Sequence, residues 1–270
     1  MPCELQIYQA DAFAARPFSG NPAAVCPLDA WLPDAVMQAI AAENNLSETA
    51  FLVKIGNDYD LRWFTPAYEV DLCGHATLAS AYVITSYLEP LRRMVRFHSR
   101  SGPLEVTRDG ELFIMDFPTQ PNERVKDTAA VADALGTAPL ELWSGMDLMA
   151  VFASQAEIEA LAPNMAKVAA LPLRGLIATA PGEDCDFVSR FFAPGAGIPE
   201  DPVTGSAHCA LTPYWSERLG KARLRARQLS RRGGELQLEN RGERVLIAGQ
   251  VSLYMEGRIQ VPEAGLEVAA

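Results

Sequence analysis

The chain has 270 residues, of which 49% are hydrophobic and 21% charged, so a sizeable core is expected and a disordered protein is excluded. A net charge of −11 argues against nucleic acid or an anionic membrane as the main partner. The five cysteines form no C-x-x-C pair, the first residues predict no basic and apolar leader, and no apolar run approaches the ~20 residues that span a bilayer. These features predict a cytoplasmic protein with reduced thiols.

Hydrophobic periodicity and turn residues predict alternating strands and helices along the chain. In the first half, strands are predicted at 5–10, 23–26, 50–53, 95–97, 104–107 and 112–117, and helices at 33–43 and 74–87. In the second half, strands are predicted at 142, 148–153, 228–232, 234–240, 244–249 and 251–261, and helices at 128–135, 155–170 (as one or two) and 205–219. The predicted helix stops are Asn44-Asn45, Gly136 and Gly220.

One pattern occurs twice. Arg62-Trp63-Phe64-Thr65-Pro66 leads through a loop to a helix at Gly74, and Arg190-Phe191-Phe192-Ala193-Pro194 leads to another at Gly205. The spacing is 128 residues at the arginines (190 − 62) and 131 at the glycines (205 − 74). Each copy has the order strand, turn, strand, loop, helix, so the pattern indicates two related halves.

The repeat predicts a mixed α/β (α+β) fold of two similar halves, each a curved, mostly antiparallel sheet around a central helix. The prolines between Phe117 and Asp127 mark the predicted boundary. The predicted domains are 1–117 and 118–258, with the C-terminal strand 259–270 a candidate addition to the first. Each Gly-led helix start presents unpaired N–H groups and a positive dipole end. Two such ends facing one cleft would hold a small anionic substrate.

Glu48 is the first candidate for a general acid/base, because it lies where a polar connection becomes an apolar strand beside the repeat. Burial in a cleft would raise its pKa towards the working range. The second half has no carboxylate at the matching positions 174–176, so only one half supplies a proton shuttle. His75, at a helix start, is the second candidate, although a histidine packed at a domain interface is the alternative.

Cys73, Asp71, Asp201 and Ser206 stay open between structural and functional roles. The helix start would lower the pKa of Cys73 and allow it to act as a base. Asp71 is predicted mainly to cap the helix, whereas Asp201, extended by the following proline, would bind a substrate amine. Ser206 either caps its helix or holds a carboxylate. The Cys73/His75 and His208-Cys209 pairs do not have the spacing typical of metal ligands, so no metal is predicted.

The chain resembles the PhzF-like family, which is named for an isomerase of phenazine biosynthesis and is related in fold to diaminopimelate epimerase. The matching stretches are Gly20-Asn21-Pro22, Asn45-Leu46-Ser47-Glu48-Thr49, Asp71-Leu72-Cys73-Gly74-His75-Ala76 and Glu200-Asp201-Pro202-Val203-Thr204-Gly205-Ser206-Ala207. The resemblance implies a site between two like halves, often in a homodimer, with Glu48 as the proton shuttle of an allylic hydrogen shift. The substrate ligands that it implies are His75, Asp201 and Ser206. Asn21, Gly74 and Gly205 are further predicted substrate ligands, and Asp71 and Cys73 are second-tier candidates.

One loop departs from the phenazine enzyme, because it contains Asp-Leu-Cys-Gly-His-Ala in place of Pro-Phe-Ala-Gly-His-Pro. The phenazine substrate itself is therefore not implied. The expected function is a cofactor-independent isomerase that moves a proton on a small carboxylate-bearing metabolite. One alternative is an amino-acid epimerase or racemase that uses Cys73, which would need a second acid that the chain lacks near Pro202. The other is a non-catalytic small-molecule binder.

Overall fold

A computed structural model describes residues 3–261, and the chain divides into two compact units. Within that range the first unit comprises residues 3–116 and 249–261, and the second comprises residues 117–248. The predicted domain boundaries 1–117 and 118–258 stay a prediction, and part of the predicted strand 259–270 lies outside the described residues.

The first unit contains nine strands and two α-helices among the described residues. Its strands are β1 (Cys3–Ala12), β2 (Asn21–Leu28), β3 (Glu48–Ile55), β4 (Asp58–Phe64), β5 (Glu69–Val70), β6 (Met94–Ser99), β7 (Gly102–Asp109), β8 (Leu112–Pro118) and β17 (Val251–Val261). Its helices are α1 (Asp34–Asn44) and α2 (Gly74–Val83), and α2 continues as a π-helical turn, Ile84–Leu88.

Hydrogen bonds link eight of these strands in the order β17-β1-β2-β3-β4-β6-β7-β8, and β5 pairs only with β4. The pairs β2–β3 and β4–β6 are parallel, and the other pairs are antiparallel. Helix α2 contacts β17, β1, β2, β3 and β7, so this sheet curves around it.

Small residues allow this close packing around α2. Ala76, Ala79, Ser80 and Ala81 are almost fully buried. The hydroxyl of Ser80 donates to the carbonyl of Ala76 at 2.7 Å, so the buried polar group is satisfied inside the helix. On the other face of β2 and β3, α1 contributes Met37 and Ile40 to a second apolar layer. Strands β2 and β3 are therefore covered on both faces, which explains their continuous apolar sequences.

The second unit contains eight strands and four α-helices. Its strands are β9 (Glu123–Val125), β10 (Glu141–Ser144), β11 (Leu148–Val151), β12 (Leu176–Pro181), β13 (Phe187–Phe192), β14 (Arg223–Gln228), β15 (Gly234–Asn240) and β16 (Arg244–Gly249). Its helices are α3 (Ala129–Leu135), α4 (Gln155–Ala160), α5 (Met165–Ala169) and α6 (Gly205–Leu219), and a short 3₁₀ turn spans Pro194–Ala196.

The strands of the second unit follow the order β9-β10-β11-β12-β13-β14-β15-β16. The pairs β11–β12 and β13–β14 are parallel and the rest antiparallel, which is the same succession of orientations as in the first unit. Helix α6 corresponds to α2. In the chain it lies between β13 and β14, which pair in parallel, as α2 lies between the parallel strands β4 and β6. The predicted fold class, two similar mixed α/β halves each with a central helix, is confirmed.

An aromatic cluster anchors α6 inside its sheet. Trp215 stacks on Phe187 with ring centroids 5.6 Å apart, and its indole N–H donates to the hydroxyl of Thr179 at 3.0 Å. The outer layer is built by α3, α4 and α5 through Val131, Ile158 and Val168.

Two local predictions need correction. The strand predicted at 228–232 lies at 223–228, because Gln228 ends the strand and Ser230 closes a turn by accepting the N–H of Gly233, whose φ is +66°. The helix predicted to reach residue 87 ends its α-helical part at Val83 and widens to a π turn, where the N–H of Glu89 donates to Ile84.

Candidate active site

Glu48 is the first residue of β3 and lies opposite Ala23 of the parallel strand β2. Since β3 is covered on both faces, its carboxylate enters a protein interior, and the side chain is only 11% exposed. The neighbouring Thr49 is fixed by a hydrogen bond that its hydroxyl accepts from the side chain of Asn44 at 3.0 Å. The backbone that carries the carboxylate is therefore fixed by its pairing with β2 and by the hydrogen bond at Thr49.

His75, the second residue of α2, meets this carboxylate. Its Nε2 lies 3.1 Å from Oε2 of Glu48, and its side chain is 8% exposed. The two groups are close, but the contact lacks the alignment of a hydrogen bond, and Oε2 has no hydrogen-bond partner among the residues that the structure describes. A buried carboxylate oxygen without a hydrogen bond costs about 1–3 kcal/mol, so its retention calls for an explanation.

Charge at this site depends on the neighbours of His75. Burial works to lower the pKa of the imidazole, but the adjacent Cys73 and Glu48 outweigh it and raise the pKa well above its ordinary value. The Sγ of Cys73 lies 3.5 Å from Nδ1 of His75. Of the two neighbours, we assign the effect at neutral pH to the Glu48 carboxylate, because the Cys73 thiol holds its proton.

The expectation that Cys73 has a lowered pKa is wrong. Burial, together with the nearby charge of Glu48, raises the pKa of its thiol to about 11. Cys73 caps α2 in an extended conformation, but desolvation of the thiolate exceeds what the helix dipole provides. The thiol therefore stays protonated at neutral pH.

Glu48, Cys73 and His75 place a carboxylate oxygen, a sulfur and an imidazole nitrogen within 4.8 Å of one another. These are ligand types that suit zinc. The sequence predicted no metal and no cofactor, and both remain predictions.

The remaining candidates of the first unit differ in placement. Asn21 is the first residue of β2 and is fully buried, and Gly74 is the first residue of α2. Asp71 has a side chain 75% exposed, and its nearest cation is Arg100 at 3.8 Å. Its predicted capping role is wrong, because the capping residue is Cys73 and no side chain caps this helix.

In the second unit, buried Gln228 fixes the loop that precedes α6. Its side-chain NH₂ donates to the carbonyl of Asp201 at 2.8 Å, and its Oε1 accepts the N–H of Thr204 at 2.9 Å. The hydroxyl of Thr204 donates in turn to the carboxylate of Asp201. Asp201 is thus held at the start of α6, next to Gly205.

Ser206, the second residue of α6, does not cap the helix, since the capping residue is Thr204. Its hydroxyl accepts a hydrogen bond from Nη2 of Arg174 at 3.1 Å. Arg174 also forms a two-point ion pair with the buried carboxylate of Asp147, at 2.9 and 2.6 Å.

The structure therefore forms two groups, each at the start of a central helix: Glu48, Cys73, Gly74 and His75 in the first unit, and Arg174, Asp201, Gly205 and Ser206 in the second. The predicted convergence of the two groups on one cleft stays a prediction. Sequence reasoning missed Arg174, Asp147 and Gln228. The only signal was that Arg174 lies within the segment that matches Glu48 in the repeat.

Comparison with known proteins decides the family. Residues 10–257 match the family model described as phenazine biosynthesis-like protein. The chain belongs to the phenazine biosynthesis-like (PhzF) family. The resemblance seen in the sequence motifs is thereby confirmed.

Relatives in this family span the full chain. An uncharacterised isomerase of Pseudomonas aeruginosa is 53% identical over 258 residues, covering 96% of this chain and 100% of that protein. The human phenazine biosynthesis-like domain-containing protein is 39% identical, with 95% and 99% covered. Because relatives that match over their full length are named isomerases, the chain is an isomerase of the PhzF family.

Solved structures agree with the fold. A PhzF family protein of Enterococcus faecalis superposes with a TM-score of 0.93 at 48% identity, covering 95% of this chain and 99% of that one. A hydroxyproline epimerase of Agrobacterium vitis matches with a TM-score of 0.61 at 9% identity, covering 97% and 94%, and this likeness concerns the fold alone. Within residues 3–261, no helix is both long and apolar enough to cross a membrane.

Proposed function

We propose that this PhzF-family isomerase moves a proton on a small carboxylate-bearing metabolite, with Glu48 as the group that takes and returns the proton. The observation that carries the proposal is the buried Oε2 of Glu48, which lacks a hydrogen bond although it lies 3.1 Å from His75. A structural carboxylate in this position would be expected to accept hydrogen bonds from its surroundings. An oxygen that accepts no hydrogen bond from the protein can accept a proton from a bound substrate.

His75 supports this role by its position and charge. As the second residue of α2 it stands where backbone N–H groups lack helical partners, so the region suits an anionic group of the substrate. Because the pKa of His75 is raised, the imidazole carries its proton and positive charge over a wider pH range, and it faces the Glu48 carboxylate in that form. Asn21, Gly74, Asp201, Gly205 and Ser206 remain the proposed substrate ligands.

The racemase alternative has weaker support. A thiol with a pKa of about 11 is a poor source of thiolate at neutral pH. A two-base mechanism also needs a second acid, and the residue before Gly205 that corresponds to Cys73 is Thr204. A single carboxylate that serves one face of the substrate needs no such partner.

Deuterium incorporation tests the proposal without a known substrate. The protein is incubated in D₂O with a deproteinised bacterial metabolite extract, and mass spectrometry follows metabolites that gain one deuterium only when the protein is present. We expect such a metabolite with the wild type and a loss of about 10²–10⁴-fold in the exchange rate with Glu48→Gln. Glu43→Gln, on the exposed side of α1, is the matched control and should behave as wild type.

Two results would contradict the proposal. Exchange at the wild-type rate in Glu48→Gln, together with its loss in Cys73→Ser, would transfer the chemistry to the thiol. Tight metabolite binding without any deuterium incorporation by the wild type would favour the non-catalytic binder.

A further inference from the structure

The strand registers of the two units identify which residue replaces Glu48 in the second unit. In the first unit Thr49 pairs with Phe64, and in the second Leu176 pairs with Phe192. Phe64 and Phe192 are the same position of the repeated motif. Gly175, which precedes Leu176, therefore corresponds to Glu48.

A side chain at Gly175 would have to displace the ring of Phe191. A Cβ built there would lie 2.4 Å from Cζ of Phe191. The Phe191 ring thus fills the place that a carboxylate stem takes in the first unit. On this ring rests the guanidinium of Arg174, 5.5 Å from the ring centroid. In the first unit the carboxylate of Glu48 lies beside His75, the second residue of α2. In the second unit the guanidinium of Arg174 lies beside Ser206, the second residue of α6.

Arg190 and Arg174 differ in how their guanidinium nitrogens are used. Arg190 uses Nε and Nη2 on Glu200 and donates from Nη1 to the carbonyls of Ile158 and Leu161, and its side chain is only 13% exposed. All of its nitrogens are used inside the protein. It rests 4.9 Å from the Phe192 ring centroid, so its surroundings resemble those of Arg174. Arg190 is a structural arginine.

Arg174 keeps one edge of its guanidinium unused. Its Nε and Nη2 bind Asp147, and Nη2 also reaches Ser206, but Nη1 takes part in none of the hydrogen bonds that the described structure contains. The side chain is 43% exposed, whereas Asp147 is 2% exposed. Burial would lower the pKa of Arg174, yet Asp147 and, less strongly, Asp201 raise it, so the cation is permanent. The two hydrogen bonds to Asp147 hold the guanidinium of Arg174 in one orientation.

We propose that Arg174, together with the Ser206 hydroxyl at the start of α6, forms a binding subsite for the carboxylate group of a small metabolite. A planar guanidinium binds a carboxylate through paired N–H donors, and the dipole of the fifteen-residue helix adds to the attraction. Identifying this carboxylate with that of the isomerase substrate rests on the proposed function. The existence of the carboxylate subsite does not depend on the proposed function.

The subsite can be tested with acetate as the probe and acetamide as its uncharged match. NMR titration follows the Nε–H signal of Arg174 and the backbone amide of Ser206. Acetate should shift both signals and acetamide neither. Arg174→Lys retains a cation for Asp147 but loses the fork, and we expect acetate to bind about tenfold more weakly, the loss typical of a charged hydrogen bond. Ser206→Ala should weaken binding less.

Two control variants make the result decisive. Arg190→Lys should destabilise the fold and leave the acetate affinity unchanged, because that arginine has no free edge. Glu48→Gln should also keep the acetate affinity, which separates this subsite from the acid/base assignment. Unchanged acetate affinity in Arg174→Lys, or no acetate-dependent shift of Arg174 and Ser206 in the wild type, would overturn the proposal.

Discussion

Nε2 of His75 lies 3.1 Å from Oε2 of Glu48 inside the first unit, and this distance makes the charge of the histidine depend on the carboxylate. Burial alone would keep the imidazole neutral, so the raised pKa depends on neighbours. We predict that Glu48→Gln lowers the pKa of His75, as measured by NMR titration of its ring nitrogens. Glu43→Gln should leave it unchanged. A His75 pKa that is insensitive to Glu48→Gln would show that the two groups do not interact.

The same pair sets a pH dependence of stability. Because the folded-state pKa of His75 is raised above its unfolded value near ~6.5, its contribution to the free energy of unfolding is fully present below that pH. The contribution is lost as the pH rises through the folded-state pKa. Urea unfolding above pH ~6.5 should therefore show a smaller alkaline loss in Glu48→Gln than in the wild type.

His208 should lower the stability of the protein in acid, whereas His75 lowers it in alkali. It is completely buried in α6, where Nδ1 lies 2.8 Å from the carbonyl of Thr204 and Nε2 has no partner among the described residues. Burial lowers the pKa of its imidazole to about 4. The unfolded chain then binds more protons between pH ~6.5 and ~4, so stability falls as the pH falls through this window, by up to about 3 kcal/mol.

His208→Gln should reduce this acid-side slope in urea unfolding experiments, and His98→Gln is the control because that imidazole is half exposed. An unchanged slope in His208→Gln would mean that the loss of stability in acid arises elsewhere.

Gly175→Ala should destabilise the protein by about 1–3 kcal/mol, since its Cβ would meet the Phe191 ring and force the core to shift. Gly257→Ala is the matched control, because a Cβ there meets no atom within 4 Å and the backbone is not in the left-handed region. Urea unfolding measures both. Equal stability of the two variants would contradict the close packing of Phe191 against Gly175.

Cys73 should react slowly with iodoacetamide at neutral pH, because it is buried and its pKa is about 11. Cys185, which is partly exposed, should be alkylated faster in the same sample. Mass spectrometry of the labelled peptides measures the two rates. Rapid and selective labelling of Cys73 would indicate a thiolate and revive the racemase alternative.

Local signals in the sequence were sufficient for many elements. Helix α6 has the predicted bounds, Gly205–Leu219, and Gly220 ends it in the left-handed conformation with φ +65°. Asn45 ends α1 in the same way, with φ +49°. Each of these features depends on residues within a few positions of one another, so propensity and capping decide them. The repeated motif likewise indicated two similar halves.

Other features depend on partners far away in the chain. The register of β1 with β17 joins residues about 250 positions apart, for example Leu5 with Ile259, and no local pattern fixes it. Strand β14 was misplaced because its alternation of arginines with buried residues was not recognised.

The sequence by itself determined the family motifs, the two helix starts and Glu48 as the candidate acid/base. Only the tertiary structure decided that Oε2 of Glu48 is buried without a hydrogen bond, that Cys73 keeps its proton, and that Arg174 binds Asp147 and reaches Ser206. The physical reason is that ionisation and hydrogen bonding respond to desolvation and to atoms a few ångströms away in space. Those neighbours are brought together by packing of the core, which the spacing of residues along the chain does not specify.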